Sequence, residues 1–168
     1  RVSELAPYLH ELGVSHAYFS PYLKARPGSP HGYDIVDHAE LNPELGDAAA
    51  FQNMCAALRQ HRLGHVLDFV PNHMGIDPQA NQLWRSVLEN GPSSPYAHFF
   101  DIDWNPVKDE LKDKVLLPVL DDQYGAVLAS GRLQIRFNGG SFSLQYANFN
   151  FPLNPRQARC SFSHRVDR

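Results

Sequence analysis

Apolar residues change their period along this chain, and each change marks an element. Val2, Leu5, Ala6, Leu9 and Leu12 recur at helical spacing over 2–12, with Gly13 as the C-terminal stop. Pro7 would remove a hydrogen bond in mid-helix, so it is expected in the first turn or at a kink. Val14 to Phe19 is a short apolar run and reads as a buried strand. Asp47 is a good N-cap for a helix over 47–63, in which Phe51, Met54, Cys55 and Leu58 fall at i, i+3, i+4 and i+7. Leu63-Gly64 closes that helix, and a second apolar strand, His65 to Val70, follows at once.

Strand, helix and strand at this spacing form a βαβ unit, so the two strands are expected to be parallel and adjacent with a right-handed crossover. The helix-to-strand connections are one or two residues long, whereas the first strand reaches its helix through a segment from about Ser20 to Gly46. Long connections at strand C-terminal ends and tight ones opposite are how barrel enzymes separate function from stability. After Gly75 the texture changes. One helix is expected at 80–89, with Leu83, Trp84, Val87 and Leu88 apolar and Asn90-Gly91 as its stop. Farther on, Leu133, Ile135 and Phe137 alternate with polar residues, Asn138-Gly139-Gly140 turns the chain, and Phe142, Leu144 and Tyr146 alternate again, which is a hairpin. Residues 1–74 and 75–152 are thus read as two parts, with 153–168 as a polar tail.

Composition narrows the class of function. The 168 residues are 43% apolar and 20% charged, which fits a folded globular protein and excludes a disordered one. The formal net charge of −3, with no basic cluster, argues against nucleic acid as a partner. Among nine histidines only His61 and His65 stand at i, i+4, and Gly64 separates them, so no metal site and no cofactor is expected. Cys55 and Cys160 suggest no disulfide framework, and a reducing cytoplasm is the expected compartment. No apolar run approaches a membrane span and no signal peptide is visible, so no membrane partner is expected. The chain begins at Arg1 without an initiator Met, and it is expected to be a piece of a longer protein.

The chemistry concentrates at the strand ends. Asp68-Phe69-Val70-Pro71-Asn72-His73 is expected to carry a buried carboxylate in a strand and then delivers an amide and an imidazole where the strand stops. The first strand ends in Ser20-Pro21 and opens the loop with His31-Gly32-Tyr33-Asp34. Polar groups at the C-terminal ends of parallel strands line active sites, so these two ends are read as half of a small-molecule site.

These residues resemble a known family. The D-x-x-x-N-H of Asp68 to His73 resembles the first signature region of the α-amylase family of glycoside hydrolases, at the end of the third barrel strand. The segments Gly13 to Ser29, His31 to His38, Asn42 to Gly46, Leu88 to Pro92, Phe99 to Trp104, Leu116 to Leu120 and Asp122 to Gly125 resemble its maltooligosyltrehalose synthase branch. The resemblance implies an α/β fold: a partial (β/α)8 TIM barrel, strands two and three with their helices, plus an inserted mixed, β-rich lobe. It implies an enzyme that converts the reducing-end α-1,4 bond of a maltooligosaccharide into an α,α-1,1 bond by intramolecular transglucosylation. His73 would then donate to the sugar at the cleavage subsite, and Tyr33 would stack beneath that sugar. Asn72, Asp34, Lys24 and Arg26 are further candidates for lining the substrate channel, and Asp68 is a structural group at the site. Asn72 matches a calcium ligand of many α-amylases, but no companion ligands accompany it and no metal is expected. Trp84, Phe99, Phe100 and Trp104 are read as core of the lobe.

Departures from the family pattern set the other expectations. The family's nucleophile, acid/base and third carboxylate lie at the ends of the fourth, fifth and seventh strands, and no G-x-R-x-D segment is present. Ser163-His164-Arg165-Val166-Asp167 lacks the glycine and any apolar strand around it. No catalytic residue is therefore assigned, and the isolated chain is expected to be inactive. The tail from Cys160 no longer resembles the family, as a truncated or frameshifted reading frame would produce. Two alternatives stay open: another α-amylase-family glycosidase or transglycosylase, and a non-catalytic glucan-binding remnant.

Overall fold

A computed structural model describes residues 2–154. Arg1 and the segment from 155 onward, with Cys160 and Ser163 to Asp167, lie outside the described residues. The chain forms two compact units that divide between Ile76 and Asp77.

In the first unit, helix α1 spans Val2–Glu11 and carries Pro7 inside it, where the ring removes the N–H that the Ser3 carbonyl would otherwise accept. Strand β1, His16–Phe19, follows. The segment expected to be one long loop contains two more strands, β2 (Leu23–Ala25) and β3 (Ile35–Leu41), paired antiparallel with an irregular register. Helix α2 (Ala48–Gln60) starts as expected, with Asp47 as N-cap accepting from Ala50 N–H at 2.7 Å. Strand β4 is Gly64–Leu67. β1 and β4 pair in parallel, as the βαβ reading requires, with His16 opposite Gly64 and Tyr18 opposite Val66.

β4 is shorter than the expected 65–70. Its partner runs into Ser20-Pro21, and the last ladder bond is Asp68 N–H to the Phe19 carbonyl at 2.8 Å. Beyond it no strand among the described residues pairs with the chain. The expected burial of both strands also needs correction, because among the described residues only one face is covered. Ala17 and Phe19 pack onto the cluster of Ala6, Leu58 and Leu63, joined by Leu9, Met54 and Ala57. The opposite face leaves Tyr18 68% and Val66 41% exposed. A parallel sheet is normally sheathed on both faces, and this pair is sheathed by α1 and α2 on one.

In the second unit, helix α3 (Gln82–Asn90) is capped by Asn81, whose side chain accepts from Trp84 N–H at 3.0 Å, and Gly91 ends it. Trp84 and Val87 are its buried residues. Short 3-10 turns follow, then helix α4 (Tyr124–Ala129). The hairpin pairs β5 (Gln134–Asn138) with β6 (Ser141–Tyr146) around Gly139-Gly140, and a third strand, β7 (Phe149–Pro152), adds to β6. Phe99 is exposed rather than core, whereas Trp84 is buried against Phe100 with ring centroids 4.9 Å apart. No helix among the described residues is long and apolar enough to cross a membrane.

Candidate functional site

The C-terminal end of β4 meets the loop that returns from β2 to β3. The Tyr33 hydroxyl donates to Asp68 Oδ2 at 2.7 Å, joining a loop residue to a strand-end residue. Asp68 is half-buried rather than buried, since it stands on the uncovered face. Its hydrogen bond to the anion favours the protonated phenol and holds the Tyr33 hydroxyl above the ordinary tyrosine range, with a smaller contribution from burial. Tyr18, on β1, is also held above the ordinary tyrosine range, chiefly by the same Asp68 carboxylate.

The loop bearing Tyr33 is braced from within. Asp34 accepts from the Ser29 hydroxyl in a short hydrogen bond, and from Arg26 Nε at 3.1 Å. Burial pushes the Asp34 carboxyl upward, but the Ser29 hydroxyl and the Arg26 guanidinium outweigh it and hold the group below the usual carboxylate range. Gly32 has φ +77°, and a Cβ there would stand 2.8 Å from the Pro21 carbonyl oxygen, so the tight turn under Tyr33 admits no side chain. Tyr33 N–H donates to His31 Nδ1 at 3.0 Å, and the two rings stack with centroids 5.8 Å apart at 29°. In the neutral imidazole that bond places the proton on Nε2.

Next to Tyr33 opens a cleft of about 1000 Å³, lined by Tyr22, His31, Tyr33, Leu45, Phe51 and Met54 among others. Tyr22 tilts against Phe51 at 5.4 Å between centroids, and its hydroxyl lies 3.4 Å from His65 Nε2. An apolar, aromatic cleft with hydroxyl and imidazole groups at its rim suits a sugar, whose ring faces are apolar and whose edges carry hydroxyls.

The other candidates take different places. Asn72 and His73 are exposed beyond the end of β4, and His73 Nδ1 lies 3.2 Å from Asn72 Oδ1. With a carbonyl as partner Nδ1 donates, so the neutral ring offers Nε2 as an acceptor and only the imidazolium donates from both nitrogens. Lys24 reaches Glu40 Oε2 at 2.6 Å across the β2–β3 pair, which raises its ammonium above the ordinary lysine range. Arg26 is the brace of Asp34. Of the seven candidates, Tyr33 is joined to Asp68, Asp34 to Arg26, and Asn72 to His73, while Lys24 is held by Glu40. Among the described residues no group of three or more His, Cys, Asp or Glu is arranged to hold a metal. Sequence does not single out Tyr18 and Tyr22, and it marks His31 only as part of the loop that carries Tyr33. The alternation of strand residues would have put Tyr18 and Asp68 on one face had the register of β1 against β4 been known.

Comparison with known proteins shows the family. The alpha amylase catalytic-domain family matches residues 2–126. A protein of Mycobacterium tuberculosis (strain CDC 1551 / Oshkosh) described as a maltooligosyl trehalose synthase is 47% identical over 118 residues, 69% of this chain and 15% of its own length. The solved maltooligosyltrehalose synthase of Arthrobacter ramosus superposes with a TM-score of 0.76 at 37% identity, covering 92% of this chain and 19% of that one. A further maltooligosyl trehalose synthase crystal structure gives 0.81 at 36% identity, over 90% of this chain and 20% of its own. The chain thus spans about a fifth or less of the length of these relatives. With residues 2–126 matching its catalytic domain, this chain belongs to the α-amylase family.

Proposed function

We propose that this chain supplies one wall of the sugar site of an enzyme that converts the reducing-end α-1,4 bond of a maltooligosaccharide into an α,α-1,1 bond, the step that creates a trehalose unit. The observation that carries this reading is Tyr33, its ring at the cleft and its hydroxyl fixed on Asp68 at 2.7 Å. A ring immobilised at both ends is a preorganised platform, because it loses little freedom when a sugar settles on it. The trehalose-forming branch, rather than another α-amylase-family activity, is supported by the names of the relatives and by a structural likeness that extends over 92% of the chain.

In this reading the chain belongs to a partial (β/α)8 barrel, with β1 and β4 as the second and third barrel strands, and acts in the cytoplasm. Retaining transfer requires a carboxylate nucleophile and a carboxylic acid that protonates the leaving oxygen and later serves as base. Neither is assigned in this sequence, so the chain's own groups bind and orient: Tyr33 stacks, Asp68 holds it, and His73 meets a sugar hydroxyl. Made alone, the chain binds maltooligosaccharide weakly and transforms none of it. The test is a titration of the isotopically labelled 168-residue chain with maltopentaose, followed by NMR. Tyr33, Tyr22 and His31 resonances are expected to move together, and a spectrum unchanged at millimolar sugar would refute the proposal.

A further inference from the structure

Tyr18 is 68% accessible, on a strand whose Ala17 and Phe19 face the helices. The register explains where its side chain goes. Tyr18 stands opposite Val66, and paired residues of parallel strands share a face. Asp68 lies two residues beyond Val66, and the ladder reaches it through Asp68 N–H to the Phe19 carbonyl at 2.8 Å. Asp68 is therefore the diagonal neighbour of Tyr18 on the uncovered face, within reach of a long aromatic side chain. Tyr33 approaches the same carboxylate from the loop, at 2.7 Å.

We propose that Tyr18 is a positioning residue for the sugar site: a second phenol on the Asp68 carboxylate, which fixes that carboxylate from β1 while Tyr33 occupies another of its acceptor positions. An ionised carboxylate has about four acceptor positions and no hydrogen to donate. With Tyr33 alone on it, its side chain could turn about its own bonds and carry the Tyr33 ring along. A second donor from a different strand removes that freedom. Tyr18 thus acts on substrate through Asp68 and Tyr33, without needing to touch the sugar. The sugar half of this proposal rests on the function proposed above, whereas the two-phenol arrangement does not.

Two measurements separate those halves. The first follows ring-carbon NMR of the labelled chain through alkaline titration, in the parent and in Asp68→Asn. The parent should show both Tyr18 and Tyr33 titrating above the ordinary tyrosine range, as the carboxylate requires. In Asp68→Asn both midpoints should fall together. A fall of Tyr33 alone, with Tyr18 ordinary in both proteins, would overturn the two-phenol arrangement. The second is maltopentaose affinity of Tyr18→Phe, Tyr33→Phe and the double variant. Tyr18→Phe should weaken binding by about threefold, with the double variant little worse than Tyr33→Phe, the non-additivity of residues sharing one partner. Full affinity in Tyr18→Phe, or losses that simply multiply, would overturn the positioning role. Absence of sugar binding by the parent would overturn the positioning role together with the function proposed above, and the titration would still decide the arrangement of the phenols.

Discussion

The Tyr33 hydroxyl and the Asp68 carboxylate meet at 2.7 Å although 35 residues separate them in sequence. That bond ties the β2–β3 loop to the end of β4, so it joins the two chain segments that carry candidate chemistry. Its geometry assigns different work to the ring and the hydroxyl of one residue, and the two can be removed separately.

Tyr33→Phe keeps the proposed platform and loses the tether, and affinity for maltopentaose should fall by roughly threefold to tenfold, the size of an ordinary hydrogen bond, because only part of the tether's worth reaches the sugar. Tyr33→Ala loses both and should show no measurable binding by calorimetry or NMR. Equal affinities for the two variants would mean that the ring is not a sugar platform.

Asp34 makes stability depend on acid. Its folded-state carboxyl is held below the ordinary range, so its contribution is complete above the unfolded value of about 4 and is lost as pH falls through the lower folded value. Thermal unfolding of the parent and of Asp34→Asn should therefore differ at neutral pH and converge as pH drops below about 4. A constant difference down to pH 2 would contradict the assignment.

Gly64 tests the parallel pair directly. A Cβ at Gly64 would stand 2.1 Å from His16 Cδ2 across the β1–β4 register, a contact that forces the imidazole away. Gly64→Ala should destabilise the first unit by about 1–2 kcal/mol in denaturant unfolding, the usual size of an overpacking effect. His16→Ala in the same chain should restore most of the loss. No rescue would place the strain elsewhere.

The second unit has its own anchor. Arg132 Nη1 donates to both oxygens of Asp121, at 2.8 and 2.9 Å, and the Tyr146 hydroxyl donates to the same carboxylate in a short bond. That phenol is the largest reason the Asp121 carboxyl is held below its ordinary range, followed on the lowering side by Arg132. Tyr146→Phe should raise amide exchange of the segment 116–123 by about tenfold, with the hairpin itself little affected. Unchanged exchange there would show that the loop is held by other contacts.

How much of this was legible beforehand follows from the range of the forces involved. The helices α1, α2 and α3 and the β5–β6 hairpin are set by local periodicity, caps and turn glycines, and their positions follow from the sequence to within a few residues. The β2–β3 pair escaped because its strands are short, irregular in register and embedded among Pro27, Gly28, Pro30 and Gly32. β7 escaped because only Ala147-Asn148 separates it from β6, with no glycine to announce the turn; Ala147 takes φ +48° instead. At the site, sequence identified Tyr33 and Asp68 but not that they bond. Lys24 and Arg26 look alike in sequence as loop cations, yet Glu40 holds one and Asp34 the other. Such pairings depend on tertiary contacts, which no local pattern encodes.

The most direct test of the sugar-site role replaces the matching 118-residue segment of the Mycobacterium tuberculosis relative with the one from this chain and assays the hybrid on maltopentaose. The rest of the relative is there to supply the carboxylates that retaining transfer requires, which this chain does not assign. The expected result is loss of reducing ends without shortening of the glucan, the product being a non-reducing saccharide with a trehalose terminus. A folded hybrid that shortens maltopentaose and releases reducing sugar, or that leaves it unchanged while the parent relative acts on it, would contradict the claim that this chain is a wall of a trehalose-forming site.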